Sequence, residues 1–145
     1  MLKGISPLIT PKLLWAMDAM GHGDSLVIAD ANFPGLQIAG DHPLIELPAV
    51  SATAVLKEML KLFPVDEIHE HSGYVMQLDP ADHKVSGTPE IWSEFDSLLK
   101  EAGSSRGLGN FERQEFYAQA RNCRVVIQTG ESRLYGNLIL YKGVL

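Results

Sequence analysis

A single cysteine in 145 residues excludes an intrachain disulfide, and one thiol cannot supply a zinc set. Cys123 precedes Arg124-Val125-Val126, the entry to an apolar strand, so a packed core thiol is expected. No lysine/arginine run exceeds two residues and the formal net charge is −6. The basic face that nucleic acid or an anionic membrane needs is therefore missing. No stretch approaches the ~20 apolar residues of a membrane span. The segment Met1 to Pro7 has no apolar run of signal-peptide length, which makes a cytoplasmic protein the expectation. There is no G-x-S-x-G, no P-loop lysine motif and no complete G-x-G-x-x-G after a strand. Acyl transfer through serine, phosphate cradling and dinucleotide binding thus lose their usual sequence support.

What remains is an ordinary folded chain. Hydrophobic residues make up 46% and charged residues 21%, enough apolar material to exclude disorder over most of the length. No repeat, low-complexity tract or linker divides it, so residues 1–145 are expected to form one domain. Periodicity gives about four helices and about five strands. Thr10-Pro11 is a cap with proline at the first helical position, Leu13, Leu14, Met17 and Met20 recur at helical spacing, and Gly21 stands where a left-handed terminator belongs. Ser25–Ala29 reads as a buried strand feeding a loop at Asp30-Ala31-Asn32-Phe33-Pro34-Gly35, and Leu44–Leu47 as another strand. Ser51 caps an amphipathic helix that Pro64 stops. Tyr74–Leu78 reads as a strand, and Thr88-Pro89 repeats the cap-plus-proline device ahead of Ile91, Trp92, Phe95, Leu98 and Leu99. Gly103 to Gly109 is the one expected mobile loop, with Asn110 capping a helix through Ala120. Val125–Thr129 and Asn137–Tyr141 complete the strands. Interleaved strands and helices define an α/β fold.

Chemistry concentrates in three places. Met20-Gly21-His22-Gly23-Asp24 seats an imidazole between two glycines, and Asp30 follows at the carboxyl end of the next strand, where α/β sheets build ligand sites. An unperturbed imidazole titrates near pH 6.5, at about the right place to give and take protons. The same residues also suit a plain helix-ending turn with a surface histidine. Tyr135-Gly136-Asn137 offers the donors and acceptors that read sugar hydroxyls, or a rim turn. Arg113, Phe116 and Tyr117 share one helix side, presenting a cation, a phenol and an apolar wall, or core with a solvated arginine. His69-Glu70-His71 places two imidazoles on one face of an extended segment, and His22 with Asp24 or Asp30 offers nitrogen and oxygen ligands. Neither brings a third ligand at fixed spacing, so no metal site is expected.

Taken together, Met1-Leu2-Lys3-Gly4-Ile5-Ser6-Pro7-Leu8, Met20–Asp24, Ala29–Pro34, Phe116-Tyr117, Thr129-Gly130-Glu131 and Leu134–Leu140 resemble the fucose mutarotase and ribose pyranase family nearly end to end. The tail Lys142-Gly143-Val144-Leu145 leans to the fucose branch. The resemblance implies a three-layer αβα sandwich with a mixed central sheet. It also implies assembly into a ring, commonly a decamer, with catalysis free of metal and cofactor in a pocket at a subunit boundary. His22 would be the main acid/base group, Asp30 its partner or a hydroxyl acceptor, with Tyr117 or Tyr135 able to relay a proton. Arg113, Asn137 and Asp24 would bind the sugar, fucose or alternatively ribose. Anomer exchange needs only a proton delivered to the ring oxygen and another removed from the anomeric hydroxyl, then C1–C2 rotation and reclosure. A non-catalytic sugar-binding protein on the same scaffold and a metal-dependent aldose isomerase or lyase are the competing classes. The chain departs from the family at Tyr141, where fucose-type members carry lysine, at Gln114-Glu115, and over 37–48 and 69–73.

Overall fold

The computed structural model describes residues 2–145. Six strands form one mixed sheet in the order β2-β5-β1-β6-β3-β4: β1 (Ser25–Ala29), β2 (Leu44–Leu47), β3 (Gly73–Met76), β4 (Leu108–Phe111), β5 (Val125–Thr129) and β6 (Leu138–Tyr141). Strand β6 runs antiparallel to both its neighbours, β1 and β3, while β1, β2 and β5 are mutually parallel along their shared edges and β3 is parallel to β4. Five helices cover the sheet: α1 (Pro11–Ala19), α2 (Gly35–Ala39), α3 (Ala52–Met59), α4 (Glu90–Glu101) and α5 (Arg113–Arg121). This is the three-layer αβα sandwich.

The layers follow from the period-two alternation of the strands. Leu26, Ile28, Val125, Ile127, Leu138 and Leu140 face α1, α3 and α4, packing on Leu13, Val55, Leu56, Ile91, Phe95 and Leu99. Their strand neighbours Val27, Ala29, Val126 and Ile139 face α2 and α5, packing on Ile38, Phe116 and Ala120. Phe95 and Phe116 are the largest fully buried side chains, one per face, each contributing about 1.5–3 kcal/mol by leaving water. Cys123 is buried in the second face, and burial pushes its thiol up to about 12.

Several boundaries differ from the sequence expectation. Thr10 does cap α1, accepting the Leu13 amide at 3.2 Å. The helix leaves through an extended Met20, and the left-handed glycine is Gly23 (φ +80°) instead of Gly21. Asp24 explains this by drawing the Gly21 N–H to its carboxylate at 2.9 Å. Pro34 does not merely end a loop: it leads the short α2, which the φ +53° of Gly40 then cuts off. Thr88 does not cap α4, whose cap position is Pro89 without a side-chain bond. The expected glycine-rich loop yields an edge strand, β4, and Asn110 lies in that strand opposite Val75. Glu112 instead caps α5, accepting the Gln114 amide at 2.9 Å.

Candidate active site

Antiparallel pairing of β1 with β6 sets up the first polar cluster. Ile28 pairs with Leu138, so the residues after Ile28 face those before Leu138. Asp30 and Asn137 therefore meet at the carboxyl end of β1. The Asn137 Nδ2 donates to Asp30 Oδ2 at 2.9 Å, and its Oδ1 accepts the Asp30 amide at 2.9 Å. Oδ1 of Asp30 accepts the Asn32 amide at 2.9 Å. Burial pushes the Asp30 carboxyl above the usual carboxylate range, against the opposing pull of Asn32, Asn137 and neighbouring amides. The loop is braced from β5: Thr129 Oγ1 donates to the Ala29 carbonyl at 2.7 Å, and Gln128 Nε2 donates to the carbonyls of Asp30 and Phe33 at 2.8 and 2.9 Å.

Around Asp30 lies a cavity of about 150 Å³, below the ~300–1,000 Å³ of drug-sized sites and in keeping with a single sugar ring. Arg113, Tyr117, Tyr135, Asn137, Phe33 and Asp82 contribute to its wall. Arg113 lies 6.0 Å above the Tyr117 ring and 3.5 Å from Asp79 Oδ2. Tyr135 holds φ at +61°, the one left-handed residue other than glycine among those described, a conformation that bulky residues adopt only when their surroundings enforce it. Here Trp92 Nε1 donates to the Tyr135 carbonyl at 3.1 Å, and its hydroxyl donates to Asp82 Oδ2 at 2.9 Å while accepting the Asp79 amide at 3.3 Å. Such a set of hydroxyl, amide, guanidinium and carboxylate groups beside aromatic rings can read a ring of sugar hydroxyls.

His22 is not there. It precedes β1 whereas Asp30 follows it, and five strand residues at ~3.3 Å each put them roughly 16 Å apart or more. A direct His22–Asp30 pairing within one chain is thus corrected by the structure, because a strand carries its two ends to opposite edges of the sheet. His22 Nε2 lies instead 3.0 Å from Asp66 Oδ1. Asp66 arrives through the other end of β6: its amide donates to the Tyr141 carbonyl at 3.0 Å, next to a bridge between Val65 and Lys142. Burial disfavours the Asp66 anion, yet bonds from the His69 amide and ring, the His22 ring and the Ile68 amide outweigh it and hold the carboxyl down at about 2. His69 Nδ1 lies 2.6 Å from Asp66 Oδ2, and the His69 ring stacks on Tyr141 with centroids 4.1 Å apart.

Asp24 stands at this same end, spent on structure: it accepts from the Gly21 amide and from Arg124 Nε at 2.9 Å each, which lowers its carboxyl below the ordinary range. The two histidines of His69-Glu70-His71 diverge, His71 Nδ1 turning to the Arg106 carbonyl at 3.4 Å. The structure so gathers Asp30, Arg113, Tyr117, Tyr135 and Asn137 in one pocket, with His22 and Asp24 outside it. Asp66, Asp79 and Asp82 were not singled out from sequence. The Asp66-x-x-His69 spacing, typical of a side chain taking amides two and three residues on, was the available signal for the first.

The fold and pocket define an α/β protein of the kind that holds a small polyhydroxylated ligand at its strand ends. The chain belongs to the RbsD / FucU transport protein family, whose model matches residues 3–145. It is 43% identical over 145 residues to the human fucose mutarotase, covering 99% of this chain and 94% of that protein. It is 44% identical to the fucose mutarotase of Danio rerio, with the same coverage. Among solved structures, the fucose mutarotase of Streptococcus pneumoniae in complex with L-fucose superposes with a TM-score of 0.90 at 33% identity, covering 99% of both chains.

Proposed function

We propose that this chain is an L-fucose mutarotase, an isomerase that interconverts the α and β anomers by acid/base-assisted ring opening. The observation that carries the reading is the pocket around Asp30, sized for one sugar and walled by hydroxyl-reading groups, in a chain 33% identical to a protein solved with L-fucose. Asp30, oriented by Asn137, accepts a sugar hydroxyl; Arg113 and Tyr117 bind the rest of the ring. Proton transfer falls to His22, with Tyr117 or Tyr135 as the relay.

No histidine lines the Asp30 pocket among the described residues. The reading therefore needs His22 from a neighbouring copy, and the active unit is an oligomeric ring, a decamer, acting in the cytoplasm. Ile68 and Val144, 73% and 70% exposed beside the His22 cluster, supply an apolar rim of the sort that subunit contacts cover.

The test is magnetisation exchange between α- and β-L-fucose by NMR. Exchange well above the buffer rate supports the reading; exchange at the buffer rate overturns it. D-ribose in the same tube separates anomer exchange on fucose from pyranose–furanose conversion. Co-expressing His22→Ala with Asp30→Asn chains tests the shared pocket: mixed rings regain activity that neither variant has alone, and absence of rescue overturns it.

A further inference from the structure

The segment from Gly130 to Gly136 leads from β5 towards β6 and delivers Tyr135 and Asn137 to the pocket. Beside it, one guanidinium lies between two carboxylates. Arg133 Nε and Nη2 donate to the two oxygens of Glu131 at 2.9 and 3.0 Å. Nη1 and Nη2 donate to the two oxygens of Glu94, on α4, at 2.5 and 3.2 Å. The Glu131 side chain is 4% exposed, and it also accepts the Arg133 amide at 3.0 Å and the amide of Ala52, the first residue of α3. Its backbone reaches further, for the Glu131 carbonyl accepts the Ala31 amide at 2.9 Å, inside the Asp30 loop. Gly136 passes so close that a Cβ there would lie 2.8 Å from Glu131 Cγ. Helix α4 takes a second hold through Trp92, on the Tyr135 carbonyl.

We propose that Glu131, Arg133 and Glu94 form a positioning clamp that sets Tyr135 and Asn137 for the sugar. None of the three lines the cavity around Asp30, so they act through the residues they hold. An exposed ion pair adds little stability, and a buried one often no more than apolar packing would. A guanidinium forked onto two carboxylates supplies direction instead, because each pair of parallel N–H bonds fixes a plane. Arg133 thereby ties the loop to α4, while Glu131 ties it to α3 and to the Asp30 loop. Between these anchors and β6 stands Tyr135, whose φ of +61° needs its surroundings to enforce it. Without the anchors that backbone relaxes, and Asn137 is drawn off Asp30. The consequence for the sugar rests on the mutarotase reading, but the clamp itself is a property of this loop.

Arg133→Ala would strand a buried carboxylate and endanger the fold, so two milder variants carry the test. Arg133→Lys keeps the charge and loses both forks. Glu94→Ala frees the α4 end and leaves the Glu131–Arg133 pair in place. Because the clamp sets groups that grip the sugar, the loss should fall on KM. In Arg133→Lys the KM for L-fucose exchange should rise about ten-fold, with kcat within about three-fold of the parent. Glu94→Ala should raise KM about three-fold. A clamp that served stability alone would shift the melting temperature and leave KM at the parent value. Hydrogen–deuterium exchange read by mass spectrometry supplies a second readout, independent of the sugar. Uptake over residues 130–137 and 30–33 should quicken about ten-fold in Arg133→Lys, while helix α1 keeps the parent rate. The proposal is overturned by parent KM in either variant, or by uptake that is unchanged or quickened evenly along the chain. Should the parent protein not exchange fucose at all, the mutarotase reading fails while the deuterium pattern still decides the clamp.

Discussion

Asn137 grips Asp30 from both its backbone and its carboxylate, at 2.9 Å each, so one carboxamide both fixes the loop and stabilises the anion. Asn137→Asp turns the donor into a second carboxyl. Two carboxylates at that spacing cannot both ionise cheaply, so the variant should unfold at lower temperature than the parent, by about 1–3 kcal/mol in stability. The deficit should be larger at pH 8 than at pH 5, where one shared proton relieves it. Equal melting at both pH values refutes the account.

Asp66 gives a pH dependence of stability with a definite sign. Its folded carboxyl stands at about 2, below the ordinary 3.8. The folded state therefore prefers the anion, and the contribution is present above pH 4 and lost as pH falls through 2. The difference amounts to about 2 kcal/mol. Urea unfolding between pH 5 and pH 2 should show this loss in the parent and its absence in Asp66→Asn; parallel curves would remove Asp66 from the acid sensitivity.

Tyr135 pays for its φ of +61° with contacts at both its carbonyl and its hydroxyl. Asparagine tolerates that conformation and valine does not. Tyr135→Val should accordingly be less stable than Tyr135→Asn by about 1–3 kcal/mol, read by thermal unfolding, although both lose the phenol and its bond to Asp82.

Gly130 closes the β2–β5 edge. A Cβ there would lie 2.0 Å from the Pro48 carbonyl, which is backbone and cannot turn aside. Gly130→Ala should cost about 1–3 kcal/mol and displace the Thr129–Ala29 bond that braces the Asp30 loop, lowering fucose exchange as well. Parent-like melting temperature and exchange would contradict this.

The helices and central strands were legible because their apolar periods are long and their caps conventional, as with Thr10-Pro11 and Ser51. Strand β4 was not. Its sequence, Leu-Gly-Asn-Phe, lacks an apolar run, and Gly109 is there because a Cβ would strike the His71 and Tyr74 rings, a tertiary reason that local patterning does not carry. Helix α2 hid behind the proline and glycine that start and stop it. The Asp30, Arg113, Tyr117, Tyr135 and Asn137 group was legible as residue types, and only strand register brings them together. Within one chain β1 separates His22 from Asp30, so nearness in sequence is not nearness in space there.

The placement of β6 between two antiparallel neighbours has a further consequence. Asn137 enters it and Tyr141 leaves it, so one short ribbon of chain anchors the sugar pocket at its head and the histidine turn at its tail. A one-residue insertion between Glu131 and Gly136 that slid the ribbon would turn every side chain to the opposite face, disabling both ends in a single event and leaving no half-working intermediate.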